Sequence, residues 1–304
     1  MGCHGILPVF KPKNYTSHDV VAIVRRLTKQ KKAGHTGTLD PEVEGVLPVC
    51  LGQATRMVEY LQDRPKRYQG TLKLGIATET EDQTGDVVEQ VEAVEPVEPA
   101  QVKEVFSRFV GDITQVPPMY SAVKVNGRRL YEWAREGIKI DRPERQVHIY
   151  ELNFLGMTEG EYPEIHFDVL CSKGTYIRTL CVDIGKALGY PAHMTSLLRT
   201  QSGPFHLDDC YTLDELKQIK EQKAWEKHIT PLDAGISFMP VLMVDHEDLQ
   251  KVYDGWKIEI HVVDQLFKEN QFVRVYTNSG AFCAVYQVME KGLAKPEKVF
   301  RDVE

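Results

Sequence analysis

Val20, Val24 and Leu27 recur at helical spacing behind Thr16-Ser17-His18-Asp19, a capping-box sequence. The spacing predicts a helix running to about Lys29. Gly45 to Leu51 reads as a short buried strand and Gln53 to Leu61 as a helix. Tyr68, Gly70, Leu72 and Leu74 alternate with polar residues, as do Ile165, Phe167, Val169 and Cys171, and both runs predict strands. Val102, Val105, Phe106 and Phe109 mark an amphipathic helix. Ile177, Leu180, Cys181, Ile184 and Leu188 form a second helical stripe, closed by Gly189 and Pro191. Thr212-Leu213-Asp214-Glu215 is another capping box. From about Met239 the texture changes to short β-like runs, Val241–Val244, Phe272–Tyr276 and Phe282–Val288, with one short helix near Asp248. Upstream, strands and helices alternate without a βαβ period. The expected fold is therefore α+β with a mixed or antiparallel sheet. It divides into residues 1–238 and a small β-rich module over residues 239–304.

Composition narrows the class. At 304 residues the chain holds one large domain or two smaller ones, and 42% hydrophobic residues suffice for a full core. No run of about 18 apolar residues marks a membrane helix, and Met1-Gly2-Cys3-His4 lacks a signal-peptide layout. The six Cys form no CxxC pair, which excludes a zinc ribbon and fits a reducing cytoplasm. The formal charge of −7 argues against a uniformly basic nucleic-acid binder, but the charge is segregated. Residues 1–75 carry 12 basic and 6 acidic groups, residues 76–100 carry 8 acidic and no basic groups, and residues 101–150 carry 9 basic and 6 acidic. Such segregation can make a local anion-binding face on an acidic protein.

The loop Gly34-His35-Thr36-Gly37-Thr38-Leu39-Asp40-Pro41 is the first candidate for chemistry. Two glycines let the backbone turn tightly and approach a ligand. Pro41 biases Asp40 away from helix. A carboxylate held this way can act as nucleophile or base, or it can simply cap the next turn. The second candidate is Cys171 through Arg178, an alternating strand entering a helix, with Tyr176 and Arg178 in the first turn. An arginine there can pair with a carboxylate or a phosphate, or serve only a surface acid. Lys66-Arg67-Tyr68, and Lys124 with Arg128-Arg129-Leu130-Tyr131, combine cations with aromatics, as RNA-binding surfaces do. No HExxH or other metal spacing occurs, so no catalytic metal is expected.

Read together, these segments resemble the TruB-type tRNA pseudouridine synthases. The matching stretches are Lys11-Pro12 through Val21, Gly34 through Pro41, Gly45-Val46-Leu47-Pro48, Gly52-Gln53-Ala54-Thr55-Arg56 and Lys66-Arg67-Tyr68. They continue with Pro117-Pro118-Met119-Tyr120-Ser121-Ala122, Cys171 through Arg178 and His193 through Arg199. The resemblance covers about residues 5–235. A weaker one links Gly292 through Pro296, with Val299-Phe300, to the PUA-type RNA-binding module of bacterial members. One departure is Asn14, where the family has glycine; Asn tolerates a left-handed backbone better than most residues.

The resemblance implies isomerisation of uridine-55 in the T-loop of tRNA to pseudouridine, with base flipping and without cofactor or metal. By the same match, Asp40 corresponds to the nucleophile, Tyr68 to the aromatic stacking on the flipped uracil, and Arg178 to the partner that keeps the aspartate ionised. Tyr176 and Leu197 correspond to uracil-pocket positions and His35 to the residue supporting the extruded base. Attack at C6 of the base, attack at C1′ and a glycal-like elimination all remain open. Lys11, Lys66, Arg67, Lys124, Arg128, Arg129 and Lys173 are expected on the RNA backbone, with residues 115–145 as an RNA-gripping insertion. The acidic stretch 76–100 is expected away from it. The implied protein is a cytoplasmic monomer acting on the tRNA T-arm. The alternative is an RNA-binding or tRNA-chaperone protein without turnover, which has no need of the Gly34–Pro41 loop.

Overall fold

A computed structural model of the chain describes residues 3–260 and 267–301. Residues 261–266 and 302–304 of the expected C-terminal module lie outside the described residues. The larger unit is built on a nine-stranded sheet. Its main path runs Gly5–Lys11, Glu44–Leu51, Ala192–Ser202, Lys66–Leu74, Glu164–Cys171, Arg145–Met157 and Gly111–Gln115. Every neighbour pair is antiparallel except Ala192–Ser202 against Glu44–Leu51, which meet in parallel at Leu198↔Glu44 and Arg199↔Gly45. The sheet is mixed, as the absence of a βαβ period implies. At that junction Gly45 has a φ of +114°, and a Cβ there would stand 2.2 Å from the Arg199 carbonyl oxygen. Only glycine lets the two strands approach so closely.

The helix expected behind Thr16 spans Ser17–Thr28. The Thr16 hydroxyl accepts from the Asp19 amide at 3.1 Å while Asp19 accepts from the Thr16 amide at 2.9 Å. Val20, Val21 and Val24 bury on Leu7, Val9, Leu47 and Val49. Pro99–Arg108 and Ile177–Leu188 cover the other part of the sheet, sharing a core with Leu72, Leu74, Ile165, Phe167 and Val169. Asn14 takes the left-handed conformation, φ 64°, so the turn survives the loss of glycine. Gln53 to Leu61, expected as one helix, is a 3-10 turn over Gly52–Met57 followed by the short helix Val58–Gln62.

Two central strands have no counterpart in the hydrophobic pattern. Ala192–Ser202 shifts register between Met194 and Ser196 and again between Arg199 and Gln201; Arg145–Met157 shifts between Ile149 and Glu151 and between Phe154 and Gly156. Each bulge turns the following side chains to the opposite face and erases the two-residue period.

The second unit is a curled five-stranded sheet in the order Val241–Val244, Phe272–Thr277, Phe282–Val288, Leu293–Val299, Ile258–Glu259, with the helix His246–Tyr253 against it. Its own core holds Val252, Val273, Val275 and Tyr286. Val285 and Phe300 join Met57, Tyr60 and Leu61 of the larger unit in one buried cluster. The Arg56 guanidinium lies 4.7 Å over the Phe300 ring and donates to the Val299 carbonyl at 2.6 Å. The α+β fold with a small half-barrel at its C-terminal end is thus the one expected.

Candidate active site

The Gly34–Pro41 loop leaves the short strand Ala33–His35 and is pinned at three points. Ser17 Oγ accepts from the Leu39 amide at 2.9 Å and donates to the Leu39 carbonyl at 3.2 Å. Arg199 Nη2 donates to the Gly37 carbonyl at 3.1 Å, and Lys11 Nζ to the Pro41 carbonyl at 3.1 Å. The loop therefore presents Asp40 with its backbone fixed on both sides. Its carboxylate stands 3.0 Å from Arg178 Nη2 and its side chain is 46% exposed, so Asp40 is held yet open to a ligand.

Arg178, the second residue of the helix Ile177–Leu188, is 7% exposed. Nη1 donates to the Thr80 carbonyl at 3.0 Å and Nη2 to the Tyr120 carbonyl at 2.9 Å. Asp82 Oδ2 lies 3.8 Å from Nη1. Asp82 is itself fixed by the hydroxyls of Thr80, at 2.7 Å, and Thr84, at 2.6 Å. The guanidinium is thus oriented from three directions before it meets Asp40.

Asp40 and Arg178 open onto a cavity of about 640 Å³ that Tyr68, Tyr176 and Leu197 also line. Tyr68 stands on the strand Lys66–Leu74, directly opposite Arg199 in register. Burial raises its phenol above the usual value, with Arg199 pulling the other way. Two residues along, Gly70 faces Leu197; a Cβ there would stand 2.5 Å from the Phe167 ring and 3.1 Å from Leu197 Cδ1. The strand pattern needs a gap at Gly70, and Leu197 and Phe167 fill it.

His35 is not part of the cavity lining. It lies edge-on to His18 with ring centres 5.4 Å apart, and its Nδ1 accepts from the Gly37 amide at 3.3 Å. Burial, then the His18 and Arg199 charges, push its pKa down to about 4, so the ring is neutral at physiological pH.

Several cations expected on RNA are engaged within the protein. Lys11 is fully buried and its Nζ donates to the carbonyls of Pro12, Tyr15 and Pro41, which uses all three of its hydrogens. Lys66 is 6% exposed and donates to the carbonyls of Gln62 and Arg64. Burial pushes both lysines down to about 8. Arg67 is bound to Asp168 at 2.6 Å and Glu151 at 2.9 Å. These three side chains support the sheet and the loop, and their donors are spent on the protein rather than left for phosphates. Lys173, at the cavity, pairs with Asp63 at 2.5 Å. Lys124 and Arg129 are exposed on a small hairpin, Lys124–Val125 against Arg128–Arg129, away from the cavity lining. Arg128 on the same hairpin pairs with Glu136 at 2.5 Å.

The expected separation of the acidic stretch also needs correction. Its turn Glu79–Asp82 reaches the site: besides Thr80 and Asp82 at Arg178, Glu79 accepts from the Tyr120 hydroxyl at 3.1 Å. Glu81 accepts from Thr179 at 2.9 Å and lies 3.9 Å from Arg142. Neither Asp82 nor Arg199 was singled out by sequence. Asp82 hid in a run of eight acids, and Arg199 sits in a strand whose period is broken.

Comparison with known proteins places this geometry in a family. The model of the TruB family pseudouridylate synthase N-terminal domain matches residues 25–177, and that of the tRNA pseudouridylate synthase B C-terminal domain matches residues 178–237. The chain is 48% identical to tRNA pseudouridine synthase B of Halalkalibacterium halodurans over 305 residues, covering 98% of each. It is 44% identical to tRNA pseudouridine synthase B of Bacillus subtilis over 300 residues, covering 97% of each. Among solved structures, a chain of an H/ACA RNP bound to a substrate RNA containing 2'-deoxyuridine is similar, with a TM-score of 0.75 and 27% identity. That likeness covers 99% of this chain and 86% of the other. A chain of a Cbf5-Nop10-Gar1 complex matches with a TM-score of 0.74 and 28% identity, over 99% of this chain and 85% of the other.

Proposed function

From membership of the TruB family of pseudouridylate synthases, to which this chain belongs, we propose that it converts uridine-55 in the T-loop of tRNA to pseudouridine with Asp40 as nucleophile. The observation that carries this reading is the 3.0 Å pair of Asp40 and the buried Arg178 at a cavity walled by Tyr68, Tyr176 and Leu197. A guanidinium at that distance orients the carboxylate and holds it at the cavity.

The target base leaves its stack to reach such a cavity. The reaction breaks the bond between N1 and C1′, joins C5 to C1′, removes the proton from C5 and returns one to N1. Atoms are conserved and no redox step occurs, so the side chains present suffice. Tyr68 supplies a flat wall against the base, with Tyr176 and Leu197 completing the pocket. His35, uncharged beside His18, supports the extruded nucleotide. Lys124, Arg128, Arg129 and Lys173 meet the RNA backbone, and the T-arm is held across residues 115–145 by a monomer in the cytoplasm.

Asp40→Asn tests the reading. The change is nearly isosteric, so the variant is expected to bind tRNA about as well as the parent and to form no pseudouridine, scored by carbodiimide adducts. Near-normal turnover would remove Asp40 from the mechanism. Tight binding with no turnover in the parent protein would favour the RNA-chaperone alternative.

A further inference from the structure

Five cationic side chains line the cavity: Lys66, Arg145, Lys173, Arg178 and Arg199. Four are occupied. Lys66 donates to the Gln62 and Arg64 carbonyls, and Lys173 pairs with Asp63. Arg178 pairs with Asp40, while Arg199 donates to the carbonyls of Val46, at 2.7 Å, and Gly37. Arg145 differs. No carboxylate among the described residues pairs with it, and its Nε is buried without a hydrogen-bond partner.

What holds Arg145 is a ring. It is the first residue of the strand Arg145–Met157, opposite Gln115, where the insertion re-enters the sheet. Its guanidinium carbon lies 5.7 Å from the centre of the Tyr176 ring. Nη1 passes over Gly174, where an added Cβ would stand 3.7 Å away. A guanidinium set over an aromatic ring keeps its in-plane N–H donors free. A buried donor without an acceptor is unfavourable, so this geometry calls for an acceptor that the chain does not supply. A cation with a planar donor edge is matched by a phosphate, which can take two of those hydrogens at once.

We propose that Arg145, set over the Tyr176 ring, is a phosphate seat: it binds one backbone phosphate of the RNA strand that delivers a nucleotide into the cavity. The proposal rests on the RNA-modifying reading above. It adds a site at the cavity itself, distinct from the exposed cations of the insertion. Because Arg145 closes the insertion at the sheet, the seat would fix the strand next to the reacting nucleotide rather than at the far end of the T-arm.

The test uses a T-arm stem–loop RNA carrying one neutral methylphosphonate at a time, bound to the full-length protein, Arg145→Ala and Arg145→Lys. One linkage is expected to weaken binding to the parent about tenfold, as loss of a charged hydrogen bond does, and to leave binding to Arg145→Ala unchanged. Log Kd against log salt is expected to lose about 0.7–0.9 of its slope in Arg145→Ala. Arg145→Lys should recover the slope and only part of the affinity, since it keeps charge but not the fork. Where Arg145→Ala does not fold, Arg145→Gln serves the same comparison. A uniform methylphosphonate penalty in parent and variant, or an unchanged salt slope, would overturn the seat and leave Arg145 as packing for Tyr176. Turnover is scored separately on the same RNA. A parent protein that binds it without forming pseudouridine would sink the functional reading alone, while the phosphate comparison would still be decided by its own numbers.

Discussion

The basic side chains around the cavity and those on the hairpin of residues 124–129 carry the same charge and do different work. Lys11, Lys66, Arg178 and Arg199 are all under 9% exposed, and each spends its hydrogens on carbonyls or on a carboxylate of the protein. A buried cation is tolerated only when so satisfied, and for Lys11, Arg178 and Arg199 some of the acceptors belong to the loop and turn that carry Asp40 and Asp82. Their charge is converted into position. On the hairpin, Lys124 and Arg129 are exposed and Arg128 is 40% exposed, and their only constraints are surface contacts worth little in water. Their charge stays available to a polyanion. Burial, more than the count of cations, decides which of the two a lysine or arginine does.

The strongest way to break this division is Arg178→Lys. The guanidinium reaches the Thr80 carbonyl from Nη1 and both the Tyr120 carbonyl and Asp40 from Nη2, and a single ammonium nitrogen cannot occupy both positions. Misplacing a reacting group by about 1 Å costs on the order of 100-fold in rate. Single-turnover formation of pseudouridine should fall by about that factor, with tRNA affinity within about twofold of the parent. A large loss of affinity with an intact rate would move Arg178 into the phosphate-binding set and erase the contrast.

A smaller effect follows from the buried lysines. Burial lowers Lys11 to about 8, below its usual 10.5. Between those values the unfolded chain binds more protons at this position than the folded one, so the contribution of Lys11 to stability rises with pH through that window. Denaturant unfolding of the parent and Lys11→Met should show the difference in stability shifting toward the parent as pH climbs from about 8 to about 10.5. The slope cannot exceed about 1.4 kcal/mol per pH unit for one proton. A difference that does not vary with pH would mean that the three carbonyls around Lys11 Nζ offset its burial and leave its titration as in the unfolded chain.

The sequence carried most of the fold and half of the site. Thr16 and Thr212 announced their helices because capping boxes are local, and Ile177–Leu188 announced itself through an unbroken stripe. Ala192–Ser202 and Arg145–Met157 stayed silent because bulges scrambled their alternation. The same gap hid Arg199 and Arg145, the two cavity arginines on those strands. Asp40 stood out through glycine and proline neighbours, whereas Asp82 is recognisable only by what it faces. Lys11 and Lys66 were legible as charges but not as buried ones, and Arg67 not as a paired one, because both are set by contacts far along the chain, such as Lys11 with Pro41 and Arg67 with Asp168.

The smallest expected effect lies on the hairpin, where the division can be sharpened residue by residue. Arg128 and Arg129 are adjacent but unequal. Arg128 donates to both oxygens of Glu136 and lies 4.2 Å over the Trp133 ring, so a phosphate would have to displace a carboxylate from it. The Arg129 guanidinium has no carboxylate partner among the described residues and donates to the Tyr131 hydroxyl, at 3.3 Å. Each phosphate contact contributes about 0.7–0.9 to the slope of log K against log salt. Arg129→Ala should therefore lower that slope by about this amount, while Arg128→Ala should lower it by less. Glu136→Gln should strengthen tRNA binding by a few-fold at most, because freeing Arg128 returns only what an exposed ion pair was worth. Stability of all three variants should stay within about 0.5 kcal/mol of the parent, as for other surface changes. Equal slopes for the two arginine variants, with no gain from Glu136→Gln, would show that pairing on this hairpin does not regulate its grip. The contact with RNA would then have to be sought among the cavity cations, with Arg145 first.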